Sequence, residues 1–282
     1  MKIKKYHTVQ ERPGHRAKKS LGQNFLKSIV ALKKIIEAGK IKPNDTILEI
    51  GPGKGALTEK LLEKAGYVIA IEKDKDLYEL LKIKFAKEIE NKKFILVNDD
   101  ILKLQITNYE LRKYKIIANI PYNITGAILK KFLTGENPSG IDPRASQPNM
   151  MVLMVQHEVA KRIIANDKKE SILSISVKAY GEPKMIMKVP ARYFSPAPKV
   201  DSAIIKISNI SRKLFKQNSQ GRSLRNFEER FWEIIHAGFA HKRKKLSNNL
   251  KKTTVQERPG QWRNARAEDL SLQDWINLVK IN

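Results

Sequence analysis

The chain has 282 residues, 41% hydrophobic and 30% charged, enough for one main domain with a smaller appendage. No apolar run approaches the ~20 residues of a membrane-spanning helix, and the absence of cysteine excludes disulfides, thiol catalysis and Cys-ligated zinc. Lys and Arg number 55 against 29 Asp and Glu, a formal charge of +26 with a pI near 10.0, so the expected partner is a polyanion: nucleic acid or the ribosome ahead of an anionic membrane surface.

Residues 1–20 are basic and carry no apolar stretch suited to a secretory signal, which fits a cytoplasmic protein with a basic N-terminal segment. From Thr46 to about Ile207 the runs TILEI, YVIAI, FILV, KIIANI, MMVLMV and SAIIKI alternate with amphipathic stretches. This pattern predicts an α/β fold with a mostly parallel, Rossmann-like sheet flanked by helices. Leu57, Leu61, Leu62 and Ala65 share one helical face before Gly66 supplies a stop, and Leu77, Leu81, Phe85 and Ile89 recur every fourth residue. Ser208–Asn226 is polar and reads as a linker. Phe227, Phe231, Ile234, Ile235 and Phe239 then hold helical spacing, and Leu270–Ile281 predicts a last helix. The expected division is a catalytic domain over 1–207, a linker over 208–226 and a small C-terminal helical domain over 227–282. The heptapeptide TVQERPG occurs at Thr8–Gly14 and again at Thr254–Gly260, with no physical account.

Glu49-Ile50-Gly51-Pro52-Gly53-Lys54-Gly55-Ala56 follows the first predicted strand as a glycine-rich turn into a helix. About twenty residues on, Glu72 ends the second strand, where a carboxylate takes the hydroxyls of an adenosine ribose. The pair says nucleoside cofactor without saying which, since Gly51, Gly53 and Ala56 also satisfy the dinucleotide pattern. Pro52 and the acidic Glu49 sit less comfortably with a pyrophosphate than with S-adenosylmethionine. Asp99 and Asp100 end the third strand, where a carboxylate could accept from an adenine amino group or cap the next turn.

Asn119-Ile120-Pro121-Tyr122 ends the fourth strand. Adenine N6 is a poor nucleophile because its lone pair is delocalised into the ring. The Asn119 side-chain oxygen and a main-chain carbonyl before or at Pro121 could bind both amino hydrogens and free that pair, while Tyr122 stacks on a base brought out of its helix. A strand-ending turn built by Asn and Pro is the plain alternative. Catalysis of this kind is chiefly positioning and needs no metal. In Tyr193-Phe194-Ser195-Pro196-Ala197-Pro198-Lys199-Val200-Asp201, two prolines extend the chain after an aromatic; Phe194 could clamp the base from its other face or belong to the core.

In order and spacing, KKSLGQNFL (Lys18–Leu26), LEIGPGKGALT (Leu48–Thr58), IAIEKD, the Asp100 turn, NIPYNIT (Asn119–Thr125), YFSPAPKVDSA and FAHKRKKLSNNL (Phe239–Leu250) closely resemble the ribosomal RNA adenine N6,N6-dimethyltransferase family over nearly the whole chain. The resemblance implies a class I methyltransferase sheet with S-adenosylmethionine as cofactor. It implies that Asn24 and Leu26 cover the cofactor, Gly51 lies under its methionine part, Glu72 holds the ribose and Asp100 meets the adenine. Asn119 would touch cofactor and target, and Tyr122 and Phe194 would sandwich the target base. KKSLGQNFL and RKKLSNNL look like the branch acting near the 3′ end of small-subunit RNA in ribosome maturation; GPGKG and NIPYNI are equally at home in the large-subunit resistance branch. His157 stands where that family leads one to expect lysine, and reads as a surface helix residue.

A nucleotide-dependent oxidoreductase would leave NIPY, the Pro-rich loop and the basic charge unexplained, and a non-catalytic RNA-binding assembly factor would need neither Asn119 nor Glu72. The expected partner is the assembling small subunit or its RNA, met by a monomer. Arg16, Lys18, Lys19, Lys242, Arg243, Lys244 and Lys245 are expected to form one RNA-binding basic rim at the mouth of the site.

Overall fold

The computed structural model describes residues 17–105, 111, 113–134, 136–137, 140–141, 147–165, 167, 169–219, 224–255, 260–262 and 264–280. A short strand β1 (Phe25–Leu26) precedes helix α1 (Ile29–Gly39), whose first turn is capped by the Ser28 hydroxyl accepting from the Ala31 amide at 3.3 Å. There follow β2 (Thr46–Ile50), α2 (Ala56–Lys64), β3 (Tyr67–Glu72), α3 (Lys75–Lys84), α4 (Ala86–Glu90), β4 (Phe94–Asn98) and β5 (Tyr114–Asn119). After α5 (Thr125–Thr134) and the small ladder of β6 (Glu136–Asn137) with β7 (Gly140–Ile141) come β8 (Met150–Gln156), α6 (His157–Ile164) and α7 (Ile172–Lys178). β9 (Glu182–Val189) and β11 (Ser202–Ser208) complete the main sheet, and β10 (Phe194–Ser195), between them in sequence, pairs with β1 in a separate two-stranded ladder. The remainder is helical: α8 (Lys213–Asn218), α9 (Leu224–Gly238), α10 (Leu246–Asn249) and α11 (Leu272–Lys280).

Seven strands form one sheet in the order β4-β3-β2-β5-β8-β11-β9. β4, β3, β2, β5 and β8 run parallel, and β11 lies antiparallel between β8 and β9. This is the doubly wound α/β sheet expected from the sequence, with a reversed strand added near one edge. β9 is the strand the apolar runs did not reveal. It lies at the sheet edge, contains Pro183 and exposes Glu182, Lys184 and Lys188 to solvent, so its composition is not that of a buried strand.

Parallel strands covered on both faces explain the unbroken apolar runs. Leu48, Ile50, Ile69, Ile71, Ile116 and Ala118 point into one core, while Ile47, Val68, Ala70 and Ile117 point into the other, with the period of two that a pleat imposes. The predicted four-residue repeat after β3 is broken at Phe85, whose φ of −113° and ψ of 28° separate α3 from α4. Its ring then packs edge-on to Phe94 at 5.5 Å. α2 ends at Lys64 with Ala65 already extended, and Gly66 follows for a steric reason: a Cβ there would lie 2.3 Å from the Pro43 carbonyl oxygen.

The expected linker is not one. Within 208–226 the structure forms α8, and its Phe215 is fully buried against Tyr180, Phe227, Phe231 and Trp232. The α9 and α11 side chains Phe231, Ile234, Trp275 and Leu278 belong to the same apolar core as Ile116 and Leu153 of the sheet. The helical end is therefore packed onto the sheet domain, and one polar-looking stretch hides the phenylalanine that joins them. Among the described residues no helix is long and apolar enough to cross a membrane. Phe215→Ala should cost about 3–5 kcal/mol, read as a lowered denaturant midpoint; a loss under about 0.5 kcal/mol would mean that α8 does not join the two parts.

Candidate active site

The strand order reverses between β2 and β5, so the loops leaving their carboxyl ends turn to opposite faces and leave a crevice between them. A cavity of about 530 Å³ fills that crevice, within the roughly 300–1,000 Å³ range of small-molecule sites. Gly51–Gly53 from β2, Glu72 from β3, Asp99–Leu102 after β4 and Asn119–Tyr122 after β5 line it from below. The segment Ser20–Lys27 and Ser195 line it from above.

The glycine turn is built for close approach. Gly51, Gly53 and Gly55 have φ of 65°, 60° and 79°, a region that side chains disfavour. The Gly53 amide donates to Glu72 Oε2 at 3.1 Å and the Asp74 amide to Oε1 at 2.8 Å, so two main-chain donors fix the carboxylate at the end of β3. Glu72 is 5% exposed; burial pushes its carboxyl above the ordinary value, against the pull of those amides. Behind it Glu49 is more deeply buried, and its Oε2 has no hydrogen-bond partner. Burial raises Glu49 to about 8, with the Thr58 hydroxyl opposing and the Glu72 charge adding to the rise.

Asp100 both lines the cavity and caps a turn. Its Oδ1 accepts from the Leu102 amide at 3.0 Å and its Oδ2 pairs with Lys73 Nζ at 3.0 Å. Burial opposes its ionisation, but the Leu102 amide and Lys73 outweigh it and hold the carboxyl below the usual carboxylate range. Asn119 Nδ2 donates to the Asn24 carbonyl at 3.2 Å, which orients the amide and leaves Oδ1 able to accept a hydrogen bond. The Pro121 carbonyl accepts from the Ile124 amide at 3.3 Å. Tyr122 lines the cavity with its hydroxyl 2.5 Å from Ser202 Oγ, a fully buried partner that fixes the ring plane.

Asn24 and Leu26 line the cavity as expected, on a segment held from both sides. β1 pairs with β10, aligning Phe25 with Ser195 and Leu26 with Phe194. That register bears on Phe194, which the sequence leaves as either a base clamp or a core residue. Alternation along β10 turns Ser195 to the cavity and Phe194, 2% exposed, into the core. Beside Tyr122, the aromatic that lines the cavity is Phe25, with Lys54 Nζ 5.1 Å from its ring centre. It lies within KKSLGQNFL, between Asn24 and Leu26, but was not itself named from the sequence.

Lys18, expected on the RNA-binding rim, is engaged in ion pairs. Its ammonium binds Asp74 at 2.8 Å and Asp76 at 2.7 Å, and Gln23 donates to the other Asp74 oxygen at 2.7 Å. The residue therefore ties the covering segment to the start of α3. Arg16 and the Lys19 side chain lie outside the described residues. Lys242, Arg243, Lys244 and Lys245 are exposed in the turn between α9 and α10 and do not line the cavity; Lys245 Nζ donates to Asn264 Oδ1 at 3.0 Å. Among the described residues no group of three or more acidic or histidine side chains could hold a metal.

The buried Glu49 makes a pH prediction. Its folded value of about 8 lies above the ordinary 4.5, so the folded state holds a proton that the unfolded state has released between those values, and stability falls as pH rises through that window. Glu49→Gln should flatten this fall in thermal melts; an unchanged slope between pH 5 and 8 would place Glu49 in contact with water.

The family described as ribosomal RNA adenine dimethylase matches residues 14–282 of this chain. A ribosomal RNA small subunit methyltransferase A from Dehalococcoides mccartyi is 39% identical over 278 residues, covering 94% of this chain and 88% of its own. The protein of that name from Fusobacterium nucleatum is 39% identical over 274 residues, covering 94% and 97%. Among solved structures, a dimethyladenosine transferase from Plasmodium falciparum superposes with a TM-score of 0.73 at 28% identity, covering 90% of this chain and 95% of its own. The 23S rRNA methyltransferase ErmE gives 0.71 at 24% identity over 91% and 98%, a likeness of fold. The chain belongs to the ribosomal RNA adenine dimethylase family.

Proposed function

We propose that this chain uses S-adenosylmethionine to dimethylate N6 of adenosines near the 3′ end of small-subunit ribosomal RNA, in the cytoplasm, as a step of small-subunit maturation. The observation that carries this reading is the placement of Asn119 in one crevice with Glu72 and Asp100: an oriented amide acceptor for an amino group beside two carboxylates spaced along adjacent strand ends. The small-subunit branch is supported by relatives of that name at 39% identity over almost the whole chain.

The residues present fit the cofactor. Positive-φ glycines at Gly51 and Gly53 clear the crevice floor, and the unpartnered Glu49 Oε2 beneath them offers a polar contact. Glu72 would take the ribose hydroxyls on the lone pairs its two amide bonds leave, and Asp100 the adenine amino group. Asn24 and Leu26 would cover the methionine part and exclude water. When bound, S-adenosylmethionine supplies an electrophilic methyl group.

Toward the target, Asn119 Oδ1 and the Ile120 carbonyl accept the two N6 hydrogens and localise the nitrogen lone pair, an effect available only to a correctly oriented amide. Tyr122, held by Ser202, stacks on the extruded base. The exposed run Lys242–Lys245 would meet the RNA backbone, where each phosphate contact adds to the salt dependence of binding.

The test is transfer of labelled methyl from S-adenosylmethionine to purified small and large ribosomal subunits lacking these modifications, followed by nucleoside analysis. Dimethyladenosine in the small subunit alone is expected; large-subunit product, or tight RNA binding without transfer, would overturn the reading. Asn119→Ala should lower the transfer rate by roughly 10²–10³-fold. Ser202→Ala, which frees the Tyr122 ring, should cost about fivefold, the worth of one ordinary hydrogen bond, in single-turnover rate; an unchanged rate would mean that Ser202 does not orient the ring.

A further inference from the structure

Lys131 lies on α5 and does not line the cavity, yet its ammonium donates to three main-chain carbonyls of the segment after β4: Ile101 at 2.7 Å, Leu102 at 3.2 Å and Leu104 at 2.6 Å. That segment is a single helical turn, with the Lys103 and Leu104 amides both bonding the Asp100 carbonyl at 2.9 Å. One turn is too short to be stable by itself, because it fixes several residues for very few internal bonds. Asp100 caps its amino end, and Lys131 satisfies the carbonyls orphaned at its carboxyl end, where a cation is also favoured by the turn's dipole.

The placement couples two halves of the site. α5 begins at Thr125, directly after the Asn119–Tyr122 turn, and Lys131 reaches from it to the turn that presents Asp100, Ile101 and Leu102 to the cavity. The lysine stem crosses buried ground, and burial pulls its ammonium below the ordinary value while Asp100 and Asp99 pull it up. A side chain desolvated to this extent and spent wholly on main-chain oxygens is placed for what those oxygens belong to.

We infer that Lys131 is a positioning residue for cofactor recognition: by clamping the Ile101, Leu102 and Leu104 carbonyls it holds Asp100 where it can accept from the adenine amino group. The inference rests on the reading of the crevice as an S-adenosylmethionine site. Lys131 touches neither cofactor nor target and acts through Asp100.

Calorimetric affinity for S-adenosylhomocysteine tests it across a double-mutant cycle of Lys131→Met and Asp100→Ala. Lys131→Met is expected to weaken binding roughly tenfold, about the worth of one well-placed hydrogen bond to a charged group, with affinity for small-subunit RNA unchanged. The double variant is expected to bind no more weakly than Asp100→Ala alone, and Lys131→Arg, which keeps a cationic donor, to recover part of the loss. Wild-type affinity in Lys131→Met, losses that simply add in the double variant, or a parallel loss of RNA affinity would each overturn the inference. Failure of the unmodified protein to bind S-adenosylhomocysteine would overturn the reading of the crevice itself, and the inference with it.

Discussion

The reversal of strand order between β2 and β5 is the constraint on which the rest of the site depends. Parallel strands connected by helices must send one crossover to each face of the sheet, and at the reversal the two loops part. The crevice is thus a product of topology before any side chain is chosen. What the sequence adds is a set of residues at the carboxyl ends of four neighbouring strands, Gly51, Glu72, Asp100 and Asn119, three of them carried there by buried apolar strands and Asp100 by the half-buried edge strand β4. The apolar cores on both faces fix those strand ends in space, and the packing of α8 and α9 onto the same core extends that rigidity into the helical end.

Polar groups at the site are held chiefly by main chain. Gly53 and Asp74 amides hold Glu72, the Leu102 amide holds Asp100, and the Asn24 carbonyl holds Asn119. These donors and acceptors cost no side-chain entropy and cannot rotate away, which suits a reaction whose acceleration comes from placing two groups in line. Asp74 ties the arrangement together: its amide serves Glu72 while its carboxylate takes Lys18 and Gln23 from the covering segment. Burial opposes its ionisation, but Lys18, Gln23 and the Asp76 amide keep it below the usual carboxylate range, so the latch persists at neutral pH.

Much of this was legible in the sequence, and the exceptions have physical causes. The parallel strands announce themselves because burial on both faces demands unbroken apolar runs. β9 is at an edge, where lysines and a proline are tolerated, and it passes for loop. Phe215 is a lone aromatic in a polar stretch, too little for periodicity to register. Of the site residues, Gly51, Glu72, Asp100, Asn119 and Tyr122 sit on motifs whose chemistry names them. Phe194 does not reach the cavity because its facing is set by a two-residue pairing with β1, a long-range register that spacing cannot report. Lys18 finds its carboxylates more than fifty residues away, and Lys131 finds carbonyls, which leave no mark on the sequence at all.

The central claim is that the crevice between β2 and β5 binds the methyl donor beside an oriented Asn119. Amide hydrogen exchange of the full chain, with and without saturating S-adenosylhomocysteine, tests it most directly. The account predicts slowed exchange at Gly51–Gly55, Glu72–Asp74, Asp100–Leu102 and Asn119–Tyr122, with little change in α9–α11. Protection confined to the helical end, or absent from the strand ends that carry Glu72 and Asn119, would contradict it.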